Sequence, residues 1–128
     1  MQIRLSSVLV DDQEKALTFY TEMLGFAKKE DIPLGEFRWL TVVSDKDPGA
    51  TELVLEPMAF PPARTYQKAL FEAGIPLTAF FTSDIKTEYE QLKEKGVQFR
   101  GKPEKMGSVM SVLLEDTCGN LINLVQPE

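Results

Sequence analysis

Hydrophobic and polar positions along this chain change period several times, and the changes mark out elements. Ile3 to Val10 (Ile-Arg-Leu-Ser-Ser-Val-Leu-Val) is rich in β-formers and ends at Asp11-Asp12. From Gln13 the apolar spacing lengthens. Ala16, Leu17, Tyr20, Met23 and Leu24 then fall on one helical face, with Asp12 at the N-cap and Gly25 as the stop. Phe26 to Ile32 and Glu36 to Val43 read as strands turning at Pro33-Leu34-Gly35. After a polar turn over Ser44 to Ala50, Thr51 to Glu56 alternates again. Three prolines make Pro57 to Arg64 a linker, and Thr65 to Glu72 forms a short helix before Gly74.

The opening pattern then returns. Leu77 to Thr82 is a strand. Ser83-Asp84 caps a helix from Ile85 to Lys95 whose Ile85, Tyr89 and Leu92 share a face, and Gly96 stops it. Val97 to Arg100, Val109 to Glu115 and Leu121 to Gln126 read as three more strands, the last two separated by the turn Asp116-Thr117-Cys118-Gly119-Asn120. Asp12 and Gly25 correspond to Asp84 and Gly96 at an offset of about 72 residues, a long-period repeat. The reading is an α+β protein of two βαβββ modules forming one curved mixed sheet around a concave cleft, helices outside. Residues 1–128 form a single domain: module 1 at about 1–57, a linker and short helix at about 58–75, and module 2 at about 76–128.

Composition narrows the functional classes. The net charge of −6 argues against nucleic acid, whose binding draws on a basic patch. No apolar run approaches the ~20 residues of a membrane span. A single cysteine, Cys118, cannot form an internal disulfide, and the first residues lack a signal-peptide layout. The expectation is a cytoplasmic protein with no membrane partner. The chain contains no histidine.

Asp12-Gln13-Glu14-Lys15-Ala16-Leu17-Thr18-Phe19-Tyr20 with Leu24-Gly25-Phe26 resembles the first module of the vicinal oxygen chelate superfamily, which includes glyoxalase I, bleomycin-resistance proteins and extradiol dioxygenases. Ser83-Asp84-Ile85 with Tyr89 to Gly96 is similar to its second module, and Asp116 to Ile122 to its closing turn and last strand. The resemblance covers nearly the whole chain and implies a homodimer. In the family's metal enzymes two histidines and two acidic residues bind the metal from the first and last strand of each module. Carried over by motif, those positions are Leu5, Glu56, Leu77 and Asn123. Leucine coordinates nothing, and one carboxylate with one amide is too small a donor set for a tight catalytic site. No metal and no cofactor are expected.

Strand alternation adds neighbours to those positions. Ser7 shares a face with Leu5, and Phe81 with Leu77. The third strand presents either Phe37, Trp39 and Thr41 or Arg38, Leu40 and Val42. The expected ligand-contacting set is therefore Leu5, Ser7, Arg38, Trp39, Glu56, Leu77, Phe81 and Asn123, in a largely apolar cup. The leucines and Phe81 also serve as plain core. Glu56 is the main chemical feature and the candidate catalytic residue: desolvated it acts as a general base, charged it holds a cationic ligand, and near the strand end it is solvated or paired with an arginine. The favoured function is a glyoxalase/bleomycin-resistance-like protein that binds a small organic molecule without metal. The alternatives are a metal-independent isomerase or lyase using Glu56, and a dimeric interaction module with no ligand of its own.

Overall fold

Alternation in the first strand, β1 (Leu5–Val10), has a direct outcome: Val8 and Val10 are fully buried, while Leu5 and Ser7 stay exposed on the other face. The structure is a computed structural model and describes residues 1–49 and 51–128. Ala50, the last residue of the expected polar turn, lies outside the described residues.

Asp12 caps α1 (Gln13–Thr18), its carboxylate accepting from the Lys15 N–H at 2.9 Å. The helix does not continue as α. Phe19–Met23 widen into a π-helical turn that carries both Phe19 and Tyr20 into the core, their rings edge to face at 5.6 Å. Gly25 (φ +84°) then lets the Phe26 N–H reach back to the Tyr20 carbonyl at 3.0 Å, a left-handed helix stop. Strands β2 (Ala27–Leu34), β3 (Phe37–Val43) and β4 (Glu52–Pro57) complete the module. Its sheet has the order β1-β4-β3-β2, parallel between β1 and β4 and antiparallel elsewhere. Helix α1 lies against β3 and β4, over a core of Val8, Val10, Leu40, Val42 and Leu55.

Two local expectations are corrected here. The turn after β2 is at Gly35-Glu36, because β2 runs on through Pro33, paired with Arg38. A proline has no N–H for a ladder and survives in β2 because that strand is at the sheet edge. The proline-rich linker is also shorter than expected. α2 runs from Pro61 to Glu72, since prolines are tolerated in a first helical turn where the N–H has no helical partner.

In the second module β5 (Thr78–Phe81) leads to α3 (Ile85–Glu94), whose cap Asp84 accepts from the Thr87 N–H at 3.1 Å. Hydrogen bonding from the Thr87 side chain, together with this N–H contact, holds the Asp84 carboxyl below its ordinary value. Ile85, Tyr89 and Leu92 are buried as the periodicity requires, and α3 lies against the last strand. Strands β6 (Glu104–Met106), β7 (Val109–Glu115) and β8 (Leu121–Pro127) follow, giving the order β5-β8-β7-β6. Here β5 and β8 are parallel and the other pairs antiparallel. The expected strand at Val97 to Arg100 is reduced to a single bridge, Phe99 with Leu114. The pairing resumes only at Glu104, because Gly101 (φ +115°) and Pro103 carry the backbone out of the ladder.

The α+β class and the repeated βαβββ order are those read from the sequence, with the strands in two four-stranded mixed sheets. The chain divides into two compact units, Met1–Thr65 and Tyr66–Glu128. Among the described residues no helix is long and apolar enough to cross a membrane.

Candidate functional site

The register of the first module decides which residues share a face. Leu5 lies opposite Glu52, Ser7 opposite Val54 and Leu9 opposite Glu56. Thr41 is paired with Val54, so alternation puts Trp39 and Phe37 on this same face. The choice left open for β3 is thereby resolved in favour of Trp39. Arg38 points to the other, helix-covered side. It donates to both Asp31 carboxylate oxygens at 2.9 and 2.7 Å and is also paired with Glu14. This fork holds the Asp31 carboxyl down at about 2 and raises the guanidinium further above its usual range. Leu5, Ser7, Trp39 and Glu56 are thus brought to one face, and Arg38 is not among them.

Two acids on that face have different surroundings. Glu52 accepts from the Thr41 hydroxyl at 2.9 Å and lies 3.5 Å from the Lys29 ammonium. Thr41 in turn accepts from the Glu30 N–H at 3.1 Å. Glu56 is half-buried, and its carboxylate makes no hydrogen bond or ion pair among the described residues. Glu52 and Glu56 are four residues apart on one strand, so alternation puts them on the same face. Only the ladder reveals that Glu52, rather than Glu56, stands across from Leu5.

Gln13 is a further residue that the sequence did not flag. Its amide nitrogen donates to the Arg38 and Leu55 carbonyls at 2.7 and 2.9 Å, and its oxygen accepts from the Arg38 N–H at 3.0 Å. Direct pairing of β3 and β4 is confined to Thr41–Val54 and Val42–Leu53. The Gln13 side chain therefore stands in for rungs the two strands do not make, level with Trp39 and Glu56. A glutamine at the first position of a surface helix gives no sequence signal for this role.

In the second module the corresponding face carries Ala79 opposite Asn123 and Phe81 opposite Val125. Leu77 joins it just ahead of the strand, its N–H bonded to the Leu121 carbonyl at 2.9 Å. Phe81 is 71% exposed and Leu77 half-buried. A cavity of about 380 Å³ opens within this module. Its lining includes Ser111, Leu113 and Asn123, which are buried or half-buried and form its floor, and the exposed Arg100, Lys102 and Met106 at its rim. Asn123 is the one residue of the expected set that lines it.

A family profile described as the Glyoxalase/Bleomycin resistance protein/Dioxygenase superfamily matches residues 3–124. The chain belongs to this superfamily. It is 55% identical over 126 residues to the uncharacterized protein YurT of Bacillus subtilis (strain 168), covering 98% of this chain and 99% of that one. Its fold matches the crystal structure of UcmS2 with a TM-score of 0.83 at 28% identity, over 98% of this chain and 97% of the other. It matches TnmS3, an antibiotic binding protein from Streptomyces sp. CB03234, with a TM-score of 0.79 at 32% identity, over 100% and 97% of the two chains.

The four positions carried over from the superfamily's motifs supply a poor donor set for a metal. Leu5 and Leu77 have no donor atom, and Asn123 offers a neutral amide. Leu5 and Glu56 share a face but are not opposite one another. Among the described residues no three His, Cys, Asp or Glu side chains come together in a group able to hold a metal ion.

Proposed function

We propose that this superfamily member binds a small organic molecule without a metal, in the cavity of its second module. The observation that carries the reading is the cavity itself. It falls within the range of about 300–1,000 Å³ usual for organic ligands and combines apolar wall with a few polar groups. Kinship with an antibiotic binding protein supports the ligand class, and the leucines at two family metal positions support independence from metal. Exposed Leu5, Ile32 and Leu34 on the first module support a homodimer. The lone, buried Cys118 supports a reducing, cytoplasmic setting.

Thermal-shift and calorimetric titration with 2-naphthamide, 1-aminoanthracene and 9-anthracenemethanol tests the reading. At least one probe binds with one site per chain, and dialysis against EDTA leaves its affinity unchanged. Failure of all three up to their solubility limits, or binding lost with EDTA and restored by zinc, overturns it.

One observation favours a second reading, a metal-independent isomerase or lyase. Glu56 is an unpaired, half-buried carboxylate on the face that carries Trp39, which suits a general base. Turnover of a carbonyl substrate that is lost in Glu56→Gln, with binding retained, would select it over simple binding.

A further inference from the structure

The two modules repeat the same order of elements but treat their second strand differently. In the first module, β2 and β3 stay paired except for one irregularity. Between the pairs Lys28–Val42 and Asp31–Leu40, three steps on one strand oppose two on the other. In the second module the pairs are Phe99–Leu114 and Glu104–Ser111, five steps against three. The longer excursion begins after Arg100, whose N–H still bonds the Leu113 carbonyl at 2.8 Å. It passes through Gly101 and Pro103, and the cavity lies where it leaves the sheet. The departure from the repeat is what makes room for a ligand.

That excursion also sets the charge of the rim. The chain has six more acids than bases, yet Arg100 and Lys102 line the cavity against a single acid, Glu104. Arg100 is held in place, its guanidinium carbon 5.2 Å from the centre of the Phe71 ring and its Nε 3.5 Å from Glu115. Lys102 has no hydrogen-bond or ion-pair partner among the described residues, although Glu104 is only two residues away. Ser111 and Asn123 add a hydroxyl and an amide on the floor, with Leu113 and Met106 as apolar wall. A cation left without a counter-ion at the mouth of an apolar cavity favours an anionic group there.

We propose that the ligand of this cavity is an aromatic or otherwise apolar molecule bearing one negative charge, its anionic group held by Lys102 and Arg100. The inference rests on the cavity being the binding site and adds the ligand's charge. Its test uses the full-length protein and a matched pair of probes, 2-naphthoate and its neutral amide 2-naphthamide, with calorimetry at low and at high salt. The carboxylate binds about tenfold more tightly than the amide at low salt, the scale of one charge-assisted hydrogen bond. The preference shrinks at high salt. Lys102→Glu abolishes or reverses it. Arg100→Gln reduces it. Lys102 and Arg100 are both exposed, so these variants keep the fold, and an unchanged far-ultraviolet circular dichroism spectrum verifies that directly. Equal affinity for the two probes in the wild type overturns the charge assignment while leaving the binding reading intact. A preference that survives both substitutions also overturns it, because the anion is then recognised elsewhere. Binding of neither probe overturns the inference, and the cavity as the site falls with it only if 1-aminoanthracene and 9-anthracenemethanol fail as well.

Discussion

Asp31 and Arg38 show how far a single residue can be judged from its type. Arg38 was a candidate ligand contact because its strand has two faces, and the sequence does not say which one is covered by α1. The structure gives it to the covered side, forked onto Asp31 and paired with Glu14. A pH dependence follows. The Asp31 carboxyl sits at about 2 in the folded chain against an ordinary 3.8. A lowered acid stabilises the fold at pH values above its unfolded pKa, and that contribution is lost as pH falls through the folded one. Urea titrations between pH 5 and pH 2 should therefore show stability declining toward pH 2 less steeply in Asp31→Asn than in the wild type. An identical slope in both would mean that the fork does not act in solution. Glu56 and Glu52 make the same point about position. Both acids are visible in the sequence four residues apart, but their different surroundings come from Thr41 and Lys29, which lie on other strands.

At the scale of elements the sequence was largely readable. Asp12 and Asp84 cap the helices they were assigned, and both modules keep the order strand, helix, three strands. The errors fall where proline and glycine act by context. Pro33 is inside an edge strand, Pro61 and Pro62 open a helix, and Gly101 with Pro103 shifts a strand to Glu104–Met106. The junction of α1 with β3 and β4 yields a prediction at this scale. Gln13→Ala leaves the Arg38 N–H and the Arg38 and Leu55 carbonyls without their side-chain partner. Chemical denaturation should report a loss of about 1–3 kcal/mol, the cost of leaving buried polar groups unsatisfied. Fluorescence of Trp39, the neighbour of Arg38 and the only tryptophan, should shift with it. A variant as stable as the wild type would show that water replaces the amide at no cost.

For the molecule as a whole, the apolar side chains left in solvent matter most. Leu5 and Ile32 are each 48% exposed and Leu34 56%. Sedimentation velocity is expected to find a dimer, and Ile32→Asp with Leu34→Asp to yield a monomer that keeps its far-ultraviolet circular dichroism. A wild-type monomer at high micromolar concentration would remove this assignment. The superfamily, the α+β class and the lack of metal-binding side chains at Leu5 and Leu77 were all determined by the sequence alone. The α+β class rests on periodicity, caps and a repeat that local chemistry writes directly into the order of residues, the superfamily on a resemblance of motifs, and the third on residue type. Which face Trp39 and Arg38 occupy, which acid stands across from Leu5, and where a cavity opens were decided only by tertiary structure. Each depends on strand register and on where a strand leaves its ladder, and those follow from hydrogen bonds between residues far apart in the chain.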